Sequence, residues 1–484
     1  MHHLAEKLSE EVLAGSEVLV VTHIDADGIA AGSIACCSLF RAGIDCDISF
    51  VKSLDEETAR EILDKNPAFV WFTDIGAGSY ELISEVSGII TDHHVPSEFF
   101  LGNRRGRLAS EFGTRGPSML NPHLYGLDGS LDISGAGTSF LVAREMSTDN
   151  CSLSGLAVVG AVGDMQDQSH RRLIGSNRKI LHEAVSGGWI ERSIDIRFFG
   201  RETRPVPRLL AYSNDPSLPG LTGDRGSCTE FLDELGIALV KDDKWRCWSD
   251  LETSEKRQIV SALVSLLLES GFNHRHVQRM VGECYSLVGE ERGSVLRDAK
   301  EFATLLNSCG RYGKADVGMR ICLGDRDKSL EEALGLLRNH REYLVESLEI
   351  AEEMGIIEMT HLQYFHGGNR IKDTVIGVAT GILLSSPEVN KSRPLFAFAR
   401  TEECVKVSAR ATKDLVSRGL DLSIVMKEAA HTIGGVGGGH NIAAGATIPL
   451  NREEEFLELA ERIIKDQMKS RGGSDSPSPS HAKK

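Results

Sequence analysis

The sequence predicts an α/β protein: a parallel sheet with helices on both faces, then a mainly helical insertion, a connecting helix and a second, smaller α/β domain. Three observations lead there. Short apolar runs without polar alternation are separated by helical stretches, the pattern of parallel strands buried on both faces. Several of these runs end on Asp or His. After Ser193 the strand pattern gives way to helical spacing, and strands return beyond His361.

Taken in order, Glu17 to Thr22 reads as a buried strand and Ile29 to Phe40 as a helix of small and apolar residues. Asp45 to Val51, Phe69 to Thr73 and Gly88 to Thr91 read as further strands. Gly135-Ala136-Gly137-Thr138 precedes a helical run, Ser139 to Arg144, and Leu156 to Val162 forms a helix that ends at Gly163-Asp164. Thr203 to Asp224 is rich in Pro, Gly and Arg, and apolar spacing is helical from Thr253 to about Leu306. Ser329-Leu330-Glu331-Glu332 fits a capping box opening a long helix to about Met354. The last domain is expected to carry strands at Thr374 to Ala379, Leu395 to Ala399 and Cys404 to Ala409. The Ser/Pro/Gly/Lys-rich tail from Ser470 is expected to be disordered. The expected divisions are 1–193, 194–326, 327–360, 361–468 and 469–484.

Bulk properties narrow the class. At 484 residues the chain is long enough for two or three domains, and 41% apolar with 26% charged residues is the balance of a globular protein. No apolar run is long enough for a bilayer, and the N-terminus has no signal-peptide core. The ten cysteines form no CxxC pair. A cytoplasmic protein with reduced thiols is the expectation. A net charge of −16 argues against a protein that coats nucleic acid through bulk charge, but not against one with a local basic groove.

The strongest chemical signal is Thr22-His23-Ile24-Asp25-Ala26-Asp27-Gly28, where a strand ends and a helix begins. His23, Asp25 and Asp27 alternate, so an extended segment points them the same way. Their crowded negative charge calls for a cation. Asp74 follows the next buried strand, Asp92-His93-His94 the one after, and Asp164 the helix Leu156 to Val162. A lone Asp after a strand is ordinarily a cap; four segments delivering Asp and His to one sheet edge predict a metal centre. Carboxylate with imidazole suits two divalent cations, Mn²⁺ in preference to Mg²⁺. A pair of such ions suits in-line hydrolysis of a phosphate ester.

On these residues the chain resembles the DHH phosphoesterase superfamily, with HxDxDG at His23 to Gly28, Asp-x-Gly at Asp74 to Gly76, the DHH run itself and Gly163-Asp164. Gly437-Gly438-Gly439-His440-Asn441-Ile442-Ala443-Ala444-Gly445 and Ser408-Ala409-Arg410 resemble signatures of the DHHA1 domain. Gly175-Ser176-Asn177-Arg178 is similar to an element of RecJ-type exonucleases, and the likeness is greatest to the archaeal RecJ-like group. The resemblance implies that His23, Asp25 and Asp74 hold one ion, and Asp27, Asp74, His93 and Asp164 the other, with Asp74 bridging. It implies that His94 contacts the scissile phosphate, that Asp92 orients the site, and that Asn177, Arg178, Ser408, Arg410, Gly438, Gly439 and His440 bind substrate. The activity it implies is release of mononucleotides from single-stranded DNA or RNA, in replication or repair. The alternatives are a small-nucleotide or oligonucleotide phosphatase, and a replisome scaffold that partners GINS. Ser193 to about Leu306 departs from bacterial RecJ, because it does not read as an OB-fold. His170-Arg171-Arg172 with Arg178-Lys179 forms a basic stretch near Asp164, with phosphate contact and a solvated helix face equally weighted.

Overall fold

The computed structural model describes residues 1–15, 17–104, 116–213, 215–386 and 389–470. From residue 471 the expected disordered tail lies outside them. The chain divides into two compact units, Met1–Leu337 and Arg338–Lys484.

In the first unit, α1 (His2–Leu13) precedes β1 (Glu17–His23), α2 (Ala26–Ala42), β2 (Asp45–Val51), α3 (Glu56–Asp64), β3 (Val70–Thr73), β4 (Gly88–Thr91), α4 (Glu98–Arg104) and β5 (Ser118–Leu120). The five strands form a parallel sheet in the order β2-β1-β3-β4-β5. Alternation along each strand supplies both faces. Val18, Val20, Trp71 and Ile89 pack with α1, α2, α5 (Gly135–Met146) and α6 (Ser154–Gly163). Leu19, Val21, Phe72 and Ile90 pack with Ala59 and Ile62 of α3. Because the chain moves from β1 outward to β2 and then back to β3 on the other side, the order reverses between β1 and β3. Ligands of such sheets sit beyond the strand carboxyl ends at that reversal.

The residues expected as one insertion, 194–326, divide between two cores. After α7 (Gly175–Ser186), β6 (Ile190–Ile196) pairs antiparallel with β9 (Val281–Leu287). Between them lie α8 (Val206–Ala211), α9 (Arg225–Glu234), the short hairpin β7 (Val240–Lys241) and β8 (Lys244–Trp245), α10 (Thr253–Glu269) and α11 (His274–Arg279). These share a separate core that includes Ile196, Trp248, Ile259, Leu263 and Met280. Beyond β9, α12 (Ala299–Arg311) and α13 (Ala315–Cys322) return to the sheet's own core through Phe302, Leu305, Leu306 and Ile321. Helical periodicity cannot say which core a helix joins, so the sequence merges the two. The long helix α14 (Lys328–Met354) follows. Ser329 lies inside its first turn and its hydroxyl donates to Asp325 over 2.7 Å, so the expected capping box does not form.

The second unit holds a six-stranded sheet, order β10-β11-β12-β13-β15-β14, from β10 (Ile357–Glu358), β11 (Gln363–Gly368), β12 (Leu395–Arg400), β13 (Cys404–Arg410), β14 (Val436–Gly439) and β15 (Ala443–Pro449). One face carries α17 (Leu422–Thr432) and α18 (Glu453–Ser470), the other α15 (Asp373–Ser385); a short α16 (Lys413–Ser417) follows β13. Thr374 to Ala379, expected as a strand, is the first half of α15. Its β-branched residues favour extended structure. The buried positions of the whole segment are Val375, Ile376, Ala379, Thr380, Leu383 and Leu384, a helical stripe that six residues alone do not reveal.

The ten cysteines form no disulfide. Among the described residues no helix is long and apolar enough to cross a membrane.

Candidate metal centre

The turn from β1 into α2 places the first ligands. Asp25 caps the helix, accepting from the Gly28 amide at 2.9 Å, and Thr22 donates to the Gly28 carbonyl at 2.5 Å. A Cβ on Gly28 would stand 2.3 Å from the His23 carbonyl oxygen, so only glycine allows the chain to fold back here. The turn leaves His23 and Asp25 at the rim and buries Asp27 completely.

Asp27 points at the start of α5. Its two oxygens accept from the amides of Gly135 at 2.6 Å and Ala136 at 3.0 Å, where the helix presents unsatisfied donors and positive potential. Gly135 to Thr138 is expected from sequence to precede the helix; instead it is the first turn, capped by the Ser134 hydroxyl accepting from Gly137.

Asp74 follows β3 with φ of 58°, a left-handed conformation that is costly for any residue but glycine and that clusters at functional sites. It is 1% exposed, and among the described residues both its oxygens are buried without a hydrogen-bond partner, as is Nδ1 of His23. His93 Nε2 lies 3.2 Å from Asp74, 3.1 Å from Asp164 and 3.8 Å from Asp27, while His23 Nδ1 lies 3.0 Å from Asp25 and 3.7 Å from Asp74. Three overlapping groups result: His23–Asp25–Asp74, Asp27–His93–Asp164 and Asp74–His93–His94, with ligand atoms inside each within 4.8 Å of one another. Unpartnered buried oxygens between converging imidazoles fit divalent cations, because a buried carboxylate with no donor is otherwise strongly disfavoured.

The electrostatics agree. Burial, then repulsion from Asp74 and Asp164, pushes the Asp27 carboxyl well above its usual range. Burial also raises Asp164. For Asp74 burial acts upward too, but His23 and His93 pull its carboxyl below the usual range. Burial opposes charge on His23, yet Asp25 and Asp74 push it up to about 11. The cluster thus recruits positive charge wherever it can, the condition a metal satisfies.

Partners one layer out fix the ring orientations. His93 Nδ1 donates to the Gly129 carbonyl at 2.6 Å, which turns Nε2 toward the carboxylates. Gln166 donates to the same carbonyl at 2.9 Å and accepts from Asn177 at 2.5 Å. Asp92 accepts from the amides of Ala77, His93 and His94 and from His94 Nδ1 at 2.8 Å. Its charge pushes the half-exposed His94 up to about 9.

Among the residues expected at the substrate, Asn177 is placed elsewhere: it is 2% exposed and spent on Gln166. Arg178 is ion-paired with Glu283 at 2.5 Å, and Glu283 also meets Arg192 and Tyr285. In the second unit, Ser408 pairs with Gly445 and Gly445 with Gly438, one row across β13, β15 and β14. Arg410 donates to the Ser408 hydroxyl at 3.2 Å. A Cβ on Gly377 of α15 would stand 3.0 Å from both side chains, so that glycine makes room for them. Gly439 turns the chain at φ of 132°, and His440 beyond it is exposed.

Sequence reasoning missed Gly129, Gln166 and the amides of Gly135 and Ala136, since their roles run through backbone atoms or non-ionising groups. Gly160 did carry a signal, being a glycine inside a helix. A Cβ there would lie 2.3 Å from Asp27 Oδ1.

Comparison with known proteins follows the same outline. A family model described as the DHH-CID domain matches residues 198–281, and one described as the DHHA1 domain matches 366–466. The uncharacterized protein MJ0831 of Methanocaldococcus jannaschii is 30% identical over 458 residues, 93% of this chain and 94% of that one. The crystal structure of RecJ in complex with Mn²⁺ from Thermus thermophilus has a TM-score of 0.58 at 18% identity, covering 96% of this chain. This chain spans 55% of the length of that RecJ. CDC45 from Entamoeba histolytica has a TM-score of 0.65 at 10% identity, covering 96% of this chain and 98% of that one.

Proposed function

Because this chain belongs to the DHH/DHHA1 phosphoesterase family and is RecJ-like, we propose that it is a two-metal exonuclease releasing mononucleotides from single-stranded DNA, with RNA as the alternative substrate. The observation that carries this reading is Asp74, whose two unpartnered oxygens lie between the His23–Asp25 pair and the Asp27–His93–Asp164 group.

His23, Asp25 and Asp74 would hold one cation and Asp27, Asp74, His93 and Asp164 the other, Mn²⁺ being preferred over Mg²⁺ for the imidazoles. When bound, such ions neutralise charge on the phosphoryl oxygens and make a nearby water more acidic. Gly129 holds His93 with Nε2 toward the carboxylates. Asp92 holds Nδ1 of His94, which leaves Nε2 to donate to a phosphate oxygen. Ser408, Arg410, Gly438, Gly439 and His440 grip the strand through a cationic fork, a hydroxyl and approachable backbone. Arg178 would also meet phosphate, from within its pair with Glu283.

End-labelled strands test this. With Mn²⁺, immediate release of a labelled mononucleotide from one end of a long single strand is expected, with slower action on a dinucleotide. Cleavage of the dinucleotide alone would overturn the exonuclease reading in favour of a small-nucleotide phosphodiesterase. A place beside replication proteins such as GINS is a second reading, favoured by the CDC45-like fold. It requires co-purification that survives Asp74→Ala.

A further inference from the structure

One face of α7 carries charge that, Arg178 apart, the catalytic reading does not use. Arg172, Leu173, Ile174, Arg178, Lys179 and His182 line an open cleft of about 610 Å³. With Gly175, seven residues line it and four of them are basic, in a chain whose net charge is −16. Glu283 answers Arg178, but among the described residues no hydrogen bond or ion pair holds Arg172, Lys179 or His182. Elsewhere in this unit Arg144, Arg192, Arg197, Arg201, Arg246 and Arg320 each meet a carboxylate. Cations left without counter-charge on a concave surface repel one another, and a bound anion relieves that repulsion.

Helix geometry fixes where the cleft lies. At 100° per residue, Lys179 and His182 fall on the side of α7 away from Asn177, with Arg178 on the flank between. Asn177 itself is bonded to Gln166, two residues past the ligand Asp164. Lys179 and His182 are therefore separated from Asn177 by about the width of the helix, roughly 10 Å. Along the cleft Arg178 and His182 stand one turn apart, about 6 Å. With Arg172 and Lys179, that makes a row of basic residues able to follow a flexible polyanion rather than cage a single phosphate.

We propose that this cleft binds the phosphodiester backbone of a nucleic-acid strand at a distance from the scissile bond, so that long strands are held better than short ones. The proposal rests on the phosphodiesterase reading for its choice of polyanion. An acidic protein segment is the competing occupant.

The test is the full-length triple variant Arg172→Gln/Lys179→Gln/His182→Gln, with Arg178 left in place. Binding of a long labelled single strand is followed by anisotropy in EDTA across a salt series, and dinucleotide cleavage is followed separately with Mn²⁺. We expect dinucleotide cleavage to match the native protein, affinity for the long strand to fall roughly tenfold, and the log–log salt slope to shrink by about two. An unchanged affinity and slope for the long strand overturns the proposal. So does displacement of the bound labelled strand by polyglutamate at lower concentration than by the unlabelled strand. If the native protein cleaves nothing but binds the strand through these three residues, the catalytic reading falls and the cleft stands.

Discussion

Asn177 donates its side-chain amide to Gln166 across 2.5 Å, and Gln166 in turn donates to the Gly129 carbonyl that orients His93. The chain Asn177–Gln166–Gly129–His93 joins the first turn of α7 to the metal centre, and Gln166 stands two residues from Asp164. Removing either amide frees the carbonyl to move and loosens two ligands at once. We expect Gln166→Ala to weaken Mn²⁺ affinity about 10- to 100-fold, the range for partners of metal ligands, and Asn177→Ala to weaken it less. Calorimetric Mn²⁺ titration with the fold checked by circular dichroism decides it. An unchanged affinity in Gln166→Ala would mean that packing alone positions His93.

Asp74 is the one residue shared between the two proposed ligand sets, so its loss should disable both. Asp74→Ala should abolish cleavage by more than the ~100-fold typical of outer partners. It should also stay folded, because the substitution removes a buried charge rather than an apolar contact. Ligand linkage supplies an independent readout. Mn²⁺ at a hundred times its Kd should stabilise the native protein by about 2.7 kcal/mol per site, and EDTA should abolish that gain. A melting temperature that rises with Mn²⁺ as steeply in Asp74→Ala as in the native chain would sink the ligand assignment.

These two residues also mark how far the sequence is legible. Asp74 can be found because an ionisable group after a buried strand is visible as a pattern, and β1 to β4 match their apolar runs within a residue or two. The fold brings the six ionisable residues expected to hold metal together, and His94, expected at the phosphate, joins them. Asn177 reads as a substrate contact because motif position says nothing of which way a helix faces. Gln166 gives no signal, since a neutral amide beside Asp164 has no chemistry until the fold brings the Gly129 carbonyl to it. The boundary of the separate core fails for a related reason: Phe302 and Leu305 look alike whether they pack on the sheet or on the residues around Trp248.

Arg197 and Asp167 form a buried pair at 2.6 Å, both under a tenth exposed, and Arg197 also donates to the Asp167 carbonyl at 2.7 Å. They clasp the end of β6 to the loop that carries Asp164. Breaking a buried pair from one side strands the other charge, which costs about 3–5 kcal/mol, whereas replacing both by apolar residues is often neutral. Arg197→Met should therefore destabilise strongly, and Arg197→Met/Asp167→Leu should recover most of the loss. Urea denaturation of the two variants would show it; a double variant no better than the single would assign the loss to packing instead of charge.

Glu301 of α12 gives the pH dependence. It is fully buried, accepts from the Glu202 amide at 2.8 Å and from the Thr203 hydroxyl, and so ties α12 to the segment after β6. Burial, then the Asp298 charge, pushes its carboxyl up to about 7, against the two hydrogen bonds, which favour ionisation. The folded state thus binds a proton more tightly than the unfolded chain. Glu301 contributes fully to stability below the ordinary glutamate range, and that contribution is lost as pH rises through about 7. The loss is on the order of 3 kcal/mol between about pH 4 and 8. Glu301→Gln keeps the shape without the titration, so it should be more stable than the native protein at about pH 8 and lose that advantage at about pH 5. Denaturation curves for both proteins at the two pH values give the comparison directly. A difference between them that does not change with pH would show that Glu301 stays in one protonation state throughout.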